Sequence, residues 1–110
     1  MTATFYTHSN QNLASGISYS QALRKYHGHF CASNYYRLGT VVELSSRSGH
    51  VVRCIIADRA DNHTDYDLSP AAFRELCQSK RYKVIGRLEC HARVVGFHSF
   101  KRKHSIKHKE

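Results

Sequence analysis

No stretch of this 110-residue sequence approaches the roughly 18 consecutive apolar residues that a membrane-spanning helix needs, which excludes that class. The first thirty residues also lack a positively charged start followed by an apolar run, so no standard secretion signal is read. Four cysteines are present, but no pair stands at C-x-x-C spacing, which removes the usual argument for a structural zinc site. Cys31, Cys54, Cys77 and Cys90 are therefore read as buried free thiols, with one or two disulfides as the alternative. The reading calls for no metal and no cofactor. No internal repeat of 20 to 50 residues is visible, and no low-complexity tract lies outside the last dozen residues. Acidic residues are scarce: 8 Asp and Glu stand against 17 Lys and Arg, a formal charge of +9. Such an excess points to a polyanionic partner, whether nucleic acid, an anionic membrane surface or an acidic wall polymer. With 41% hydrophobic residues the chain reads as one globular domain.

What is present centres on Val51 to Phe73. Val51 to Ala57 is nearly all apolar and rich in β-branched types, the pattern of a strand covered on both faces and ending at Asp58. Asp58 to Asp67 then holds four of the eight acidic residues and no apolar run, which reads as a polar loop. Ser69 and Pro70 follow as an N-cap and a first helical residue, so a helix is expected over Pro70 to Ser79, with Phe73, Leu76 and Cys77 as its packing stripe. Asp58 and Asp67 thus stand at the end of a strand and at the mouth of a helix.

Elsewhere the signals are shorter. Thr2 to Thr7 reads as a first strand, and His8 to Ser20 as a loop. Tyr19 to Tyr26 has weak helical potential, and His27 to Ser33 reads as a short strand. Val41 to Leu44 and the strand from Val51 are separated by the turn-rich Ser45 to Gly49, which predicts a hairpin. Lys80 to Lys83 reads as a basic connection. Val84 to Val95 alternates Leu88, Cys90, Ala92 and Val94 with Arg87, Glu89, His91 and Arg93, a long strand with one wet face. The tally favours a small mixed barrel over residues 1–98, followed by a basic tail over 99–110.

Several residues carry candidate chemistry. Tyr6, Tyr35, Tyr36 and Tyr66 could present flat faces to a sugar, although tyrosines at strand ends are more often packing residues with a wet hydroxyl. His63 lies in the acidic loop and offers a second acid or base. His104 and His108 are four apart, but a disordered basic tail is the simpler reading. Lys101, Arg102, Lys103, Lys107 and Lys109 make that tail an attachment point for anionic partners. Phe97 and Phe100 give only thin support for single-strand nucleic-acid stacking.

The run Leu38-Gly39-Thr40, Val41 to Leu44, Gly49, Val51 to Ile56, Asp58-Arg59 and Asp67-Leu68-Ser69-Pro70-Ala71-Ala72-Phe73 resembles the double-psi β-barrel shared by rare lipoprotein A proteins, the first domain of expansins and barwin-like proteins. Ala3 to Thr7 and Ala14-Ser15-Gly16 stand where that family has its first strand and its Ala/Ser-Gly loop. The resemblance implies a mainly β chain, a small six-stranded double-psi β-barrel with one or two short helices and an open groove for a wall polysaccharide such as peptidoglycan. It implies that Asp67 is the main functional residue, with Asp58 beside it; Tyr6, Thr7, Arg59, His63 and Tyr66 are read beside them as candidate substrate contacts. Some relatives implied in this way are lytic transglycosylases, in which one carboxyl acts first as acid and then as base. The expansin branch loosens walls without hydrolysis. The present sequence departs from the rare lipoprotein A pattern at Ile17, where that pattern has Glu, and at Ser33, where it has His. Asp58-Arg59-Ala60-Asp61 likewise replaces Asp-Arg-Gly-Pro.

The expectation is a barrel that binds or remodels cell-wall glycan, lytic-transglycosylase-like if active. It would be held in a virion or in the cytoplasm until release, as in a phage tail tip or baseplate, and act at the wall. Two alternatives are a virion assembly module without catalysis and a basic protein that binds nucleic acid.

Overall fold

The central hairpin forms where the turn residues place it. Strands β3 (Thr40–Ser46) and β4 (Val51–Asp58) pair antiparallel from Val41 with Ile55 to Ser45 with Val51. The turn between them closes through the Gly49 amide, which donates to the Ser46 carbonyl at 3.0 Å. The computed structural model describes residues 1–7, 12–60 and 64–99. Around the hairpin are β1 (Thr2–Phe5), β2 (Phe30–Ala32), β5 (Tyr66–Leu68) and β6 (Arg87–Phe97). The six strands close into a barrel in the order β1-β5-β2-β4-β3-β6, with β1 parallel to β5 and β2 parallel to β4. Closure leaves the sheet without a free edge. The mainly β, six-stranded barrel that the resemblance implies is the architecture observed.

Alternation along the strands sorts side chains into two cores. Ala3, Cys31, Cys54, Ile56, Tyr66 and Leu68 point one way and pack with Val42, Leu44 and with Ala72, Phe73 and Leu76 of helix α2 (Pro70–Cys77). Tyr6, Phe30, Ala32 and Ala57 point the other way, under Leu13 and the Tyr19 and Ala22 face of helix α1 (Tyr19–Lys25). Helix α2 starts as its sequence dictates. Ser69 is its N-cap and accepts from the Ala72 amide, with Pro70 in the first turn. The Ser69 hydroxyl also donates to the Gly28 carbonyl, tying the helix start to the chain before β2.

Several expectations need correcting. Among the described residues there are three short helices rather than one or two, because Tyr82–Ile85 forms α3 within the stretch read as connection and strand start. The weak segment at Tyr19 is a full helix, since Ser18 and Gln21 make a reciprocal capping box. β4 is covered on both faces only in its second half. Val51 is 48% exposed and Arg53 is also exposed, because the second core reaches only the Ile55 to Asp58 end. β6 keeps its predicted alternation as far as Ala92. A bulge opposite Val41 and Val42 then breaks the register, leaving Val94 48% exposed.

Candidate functional site

Leu38-Gly39-Thr40 sets one boundary of the site. Gly39 has φ +98°, and a Cβ there would overlap the His98 carbonyl oxygen, so only glycine fits. The Gly39 amide donates to the Ile56 carbonyl at 2.8 Å and its carbonyl accepts from the His98 amide at 2.6 Å, which turns the chain into β3. Next to it the Arg37 guanidinium lies 4.0 Å over the Phe97 ring.

Asp58 and Asp67 are brought together by β2. Ala32 pairs with Asp58 across the parallel β2–β4 ladder and with Asp67 across the antiparallel β2–β5 ladder. Neighbouring strands lie about 4.8 Å apart, which puts the two Cα atoms roughly 10 Å from each other. Both residues are half-buried. The Asp67 Oδ1 accepts from the Thr4 hydroxyl at 2.7 Å, and that hydroxyl is also within 2.9 Å of the Thr64 hydroxyl. The Asp58 Oδ1 accepts from the backbone amides of Ala14 and Arg59, each at 2.9 Å, and so fixes the Ala14-Ser15-Gly16 loop to the end of β4.

Tyr6 feels both charges. Its ring packs edge-on against Tyr19 and Phe30, at centroid distances of 5.7 and 6.4 Å, and only 8% of the residue is exposed. Burial first, then Asp58 and more weakly Asp67, push its hydroxyl far above the ordinary phenol value. Tyr19 is raised too, by burial and then by Asp67, and its hydroxyl donates to the Tyr6 carbonyl at 3.1 Å. Tyr6 is thus the floor under the carboxylates, where a substrate-stacking ring had been expected.

Tyr66 corrects the expectation more sharply. It is fully buried in the barrel core, because in Tyr66-Asp67-Leu68 the alternation sends Tyr66 and Leu68 inward and Asp67 outward. The accessible aromatic face there belongs to Tyr35, stacked on Tyr66 at 6.0 Å and 53% exposed. The Tyr35 hydroxyl donates to Asp65 Oδ1 at 2.7 Å, while Asp65 Oδ2 accepts from the Thr2 amide at 2.7 Å. The Thr2 amide, then the Tyr35 hydroxyl, hold the Asp65 carboxyl below its usual value. Asp65 in turn raises Tyr35.

Arg59 is tied to the backbone of a neighbouring loop. Its Nη1 donates to the carbonyls of Ser33 at 2.9 Å and Tyr36 at 2.6 Å, clamping the loop that carries Tyr35 and Tyr36. Asn34 and Ala60 reinforce the clamp with reciprocal hydrogen bonds of 2.6 and 3.1 Å. Ser33 is fully buried, and its hydroxyl accepts from the Tyr35 amide at 3.3 Å. Thr7 is exposed. His63 and the tail residues Lys101, Arg102, Lys103, Lys107 and Lys109 lie outside the described residues, as does most of the expected tail. Sequence reasoning missed Asp65; the signal was the density of acids between Asp58 and Asp67.

This barrel, with a clamped loop on one side and α2 packed into its core, has solved counterparts. The chain is similar in fold to the cerato-platanins. Cerato-platanin 3 from M. perniciosa matches at 13% identity and a TM-score of 0.66, over 86% of this chain and 93% of that one. Cerato-platanin 2 from M. perniciosa matches at 13% identity and a TM-score of 0.67, over 87% and 94%. At this identity the likeness to cerato-platanins concerns the fold alone. No protein-family pattern matches the sequence, and no curated protein matches it. Among the described residues no group of three or more His, Cys, Asp or Glu is arranged to hold a metal ion. No helix among them is long and apolar enough to cross a membrane.

Proposed function

We propose that the barrel binds a cell-wall polysaccharide over Asp58 and Asp67, with Tyr35 and Tyr36 as the flanking aromatic faces. The observation that carries this reading is the shared ladder partner, Ala32, which sets two half-buried acids one strand away on either side of it. Carboxylates accept strong hydrogen bonds from sugar hydroxyls, and aromatic rings cover the apolar faces of sugar rings. The resemblance to expansin first domains supports this substrate class, and the cerato-platanin-like fold agrees with the barrel that the resemblance implies.

The reading is binding and wall loosening rather than cleavage. Asp58 Oδ1 is occupied by two backbone amides, and the positions of the second acid and the histidine in the rare lipoprotein A pattern hold Ile17 and Ser33. Ser33 serves the loop that carries Tyr35. Asp67 remains the single carboxyl that could act as both acid and base.

The test is co-sedimentation with purified peptidoglycan sacculi and with cellulose, using the wild type and Asp67→Asn, with mass analysis of the soluble fraction. Binding that weakens in D67N without release of sugar products supports the reading. Anhydro-sugar products from the wild type that vanish in D67N would replace it with transglycosylase activity. No sedimentation on either polymer would reject it.

A further inference from the structure

The surface between α2 and β6 carries a feature that wall binding does not use. Helix α3 has no buried residue, yet it is fixed in place. The ring of Tyr82 packs against Phe5 at 5.3 Å, and Gly86 caps the helix at φ +65°. Its outward residues are Val84, 74% exposed and the most exposed large hydrophobic side chain among the described residues, and Ile85, 43% exposed. Lys80, Arg81, Lys83 and Arg87 flank them along the chain, all exposed. Among the described residues none of these four forms an ion pair. The glutamates among the described residues are engaged elsewhere: Glu89 with the N-terminal ammonium, Glu75 with His29, and Glu43 with Arg53 and Arg93.

One exposed valine needs no explanation. Two adjacent exposed apolar side chains on an anchored turn, flanked along the chain by four cations without an ion pair, match a surface that is anionic outside and apolar just beneath. We infer that the α3 knuckle docks on the interface of an anionic lipid bilayer. Lys80, Arg81, Lys83 and Arg87 would pair with lipid phosphates while Val84 and Ile85 enter the boundary between headgroups and acyl chains. Nucleic acid complements the charges but offers no reason for the apolar tip, so it is the competing outcome.

The experiment uses the full chain and sedimentation with vesicles of phosphatidylcholine alone or with about one third phosphatidylglycerol. Binding is expected only to the anionic vesicles and should fall steeply with salt. The pair K83Q and R87Q should weaken it about 25-fold, near fivefold for each charge. V84S, which leaves every charge in place, should weaken it about fivefold through lost apolar burial. Thermal melting of each variant checks that the barrel is intact, and Val84 is exposed enough for that control to pass. Vesicle binding that ignores V84S overturns the inference, as does binding that survives K83Q and R87Q, because it would then arise outside the knuckle. Duplex DNA binding that depends on the cations, with no vesicle binding, overturns it in favour of nucleic acid.

Discussion

Asp58 and Asp67 pair with the same residue, Ala32, from its two sides, one across a parallel ladder and the other across an antiparallel one. The two ends of the polar segment are therefore fixed by the barrel, one in the strand on each side of β2.

The two acids should separate by mutation. Asp58 holds two backbone amides, so Asp58→Ala should destabilise the barrel by about 1–3 kcal/mol, while Asp58→Asn, which keeps an acceptor oxygen, should lose less. Asp67→Asn can still accept from the Thr4 hydroxyl and should stay within about 1 kcal/mol of the wild type while weakening glycan binding. Urea denaturation alongside sedimentation measures both. A D58A protein as stable as the wild type would show that the anchor role is wrong.

Tyr35 should matter for binding through its face and its fixation. Tyr35→Ala removes the exposed ring, and Tyr35→Phe removes only the hydrogen bond to Asp65. Glycan affinity should fall strongly in the first and modestly in the second. Stability should change by less than about 1 kcal/mol in Y35F, since the lost bond lies at the surface. Equal affinity for Y35A and wild type would remove the aromatic face from the site.

Acid should act through Asp65. Its carboxyl is held below the ordinary value of 3.8 by the Thr2 amide and then the Tyr35 hydroxyl. A depressed folded value means the contribution is complete above the ordinary carboxyl range and is lost as pH falls through the lower folded value. The stability gap between the wild type and Asp65→Ala should therefore be constant near neutrality and close below about pH 4. Denaturation curves at a series of pH values follow it, and a gap that persisted in strong acid would contradict the assignment.

Gly39→Ala should be among the most damaging small substitutions. It combines a left-handed backbone with overlap on the His98 carbonyl oxygen, and a loss of at least about 2 kcal/mol is expected in thermal melts.

The thiols should react in order. Cys31, Cys54 and Cys90 are buried in the barrel core, whereas Cys77 is half-exposed at the end of α2. Contact with the Cys54 thiol, then burial, raises Cys31 well above the ordinary thiol value, and burial pushes Cys90 up to about 11. A thiol reagent should label Cys77 first in the folded protein and the other three only on unfolding, which peptide mapping by mass spectrometry would resolve.

Much of the frame was legible in the residues. Ser69-Pro70 places the start of α2 because a hydroxyl cap and a residue without an N–H both suit a first helical turn. The turn before Val51 gives the hairpin, and the β-branched run gives β4. The boundary of α3 was not legible, since Lys80 to Ile85 shows no apolar stripe and the helix is held by Tyr82 against Phe5, far away in sequence. The burial of Tyr66 was present in the alternation of Tyr66-Asp67-Leu68, but three residues make a short signal.

The sequence by itself determined local conformation: the capped helix start, the hairpin, the glycine that turns into β3, and an acid at each end of one loop. Only the tertiary structure decided what those acids face. Ala32 comes between them because β2 inserts between β4 and β5, and such pairing joins residues distant in the chain, where no periodicity records it. The same closure turned Tyr66 inward, left Tyr35 as the accessible ring, and committed Arg59 to backbone carbonyls. Those outcomes follow from which strands share hydrogen bonds, and that is a property of the closed barrel rather than of any one segment.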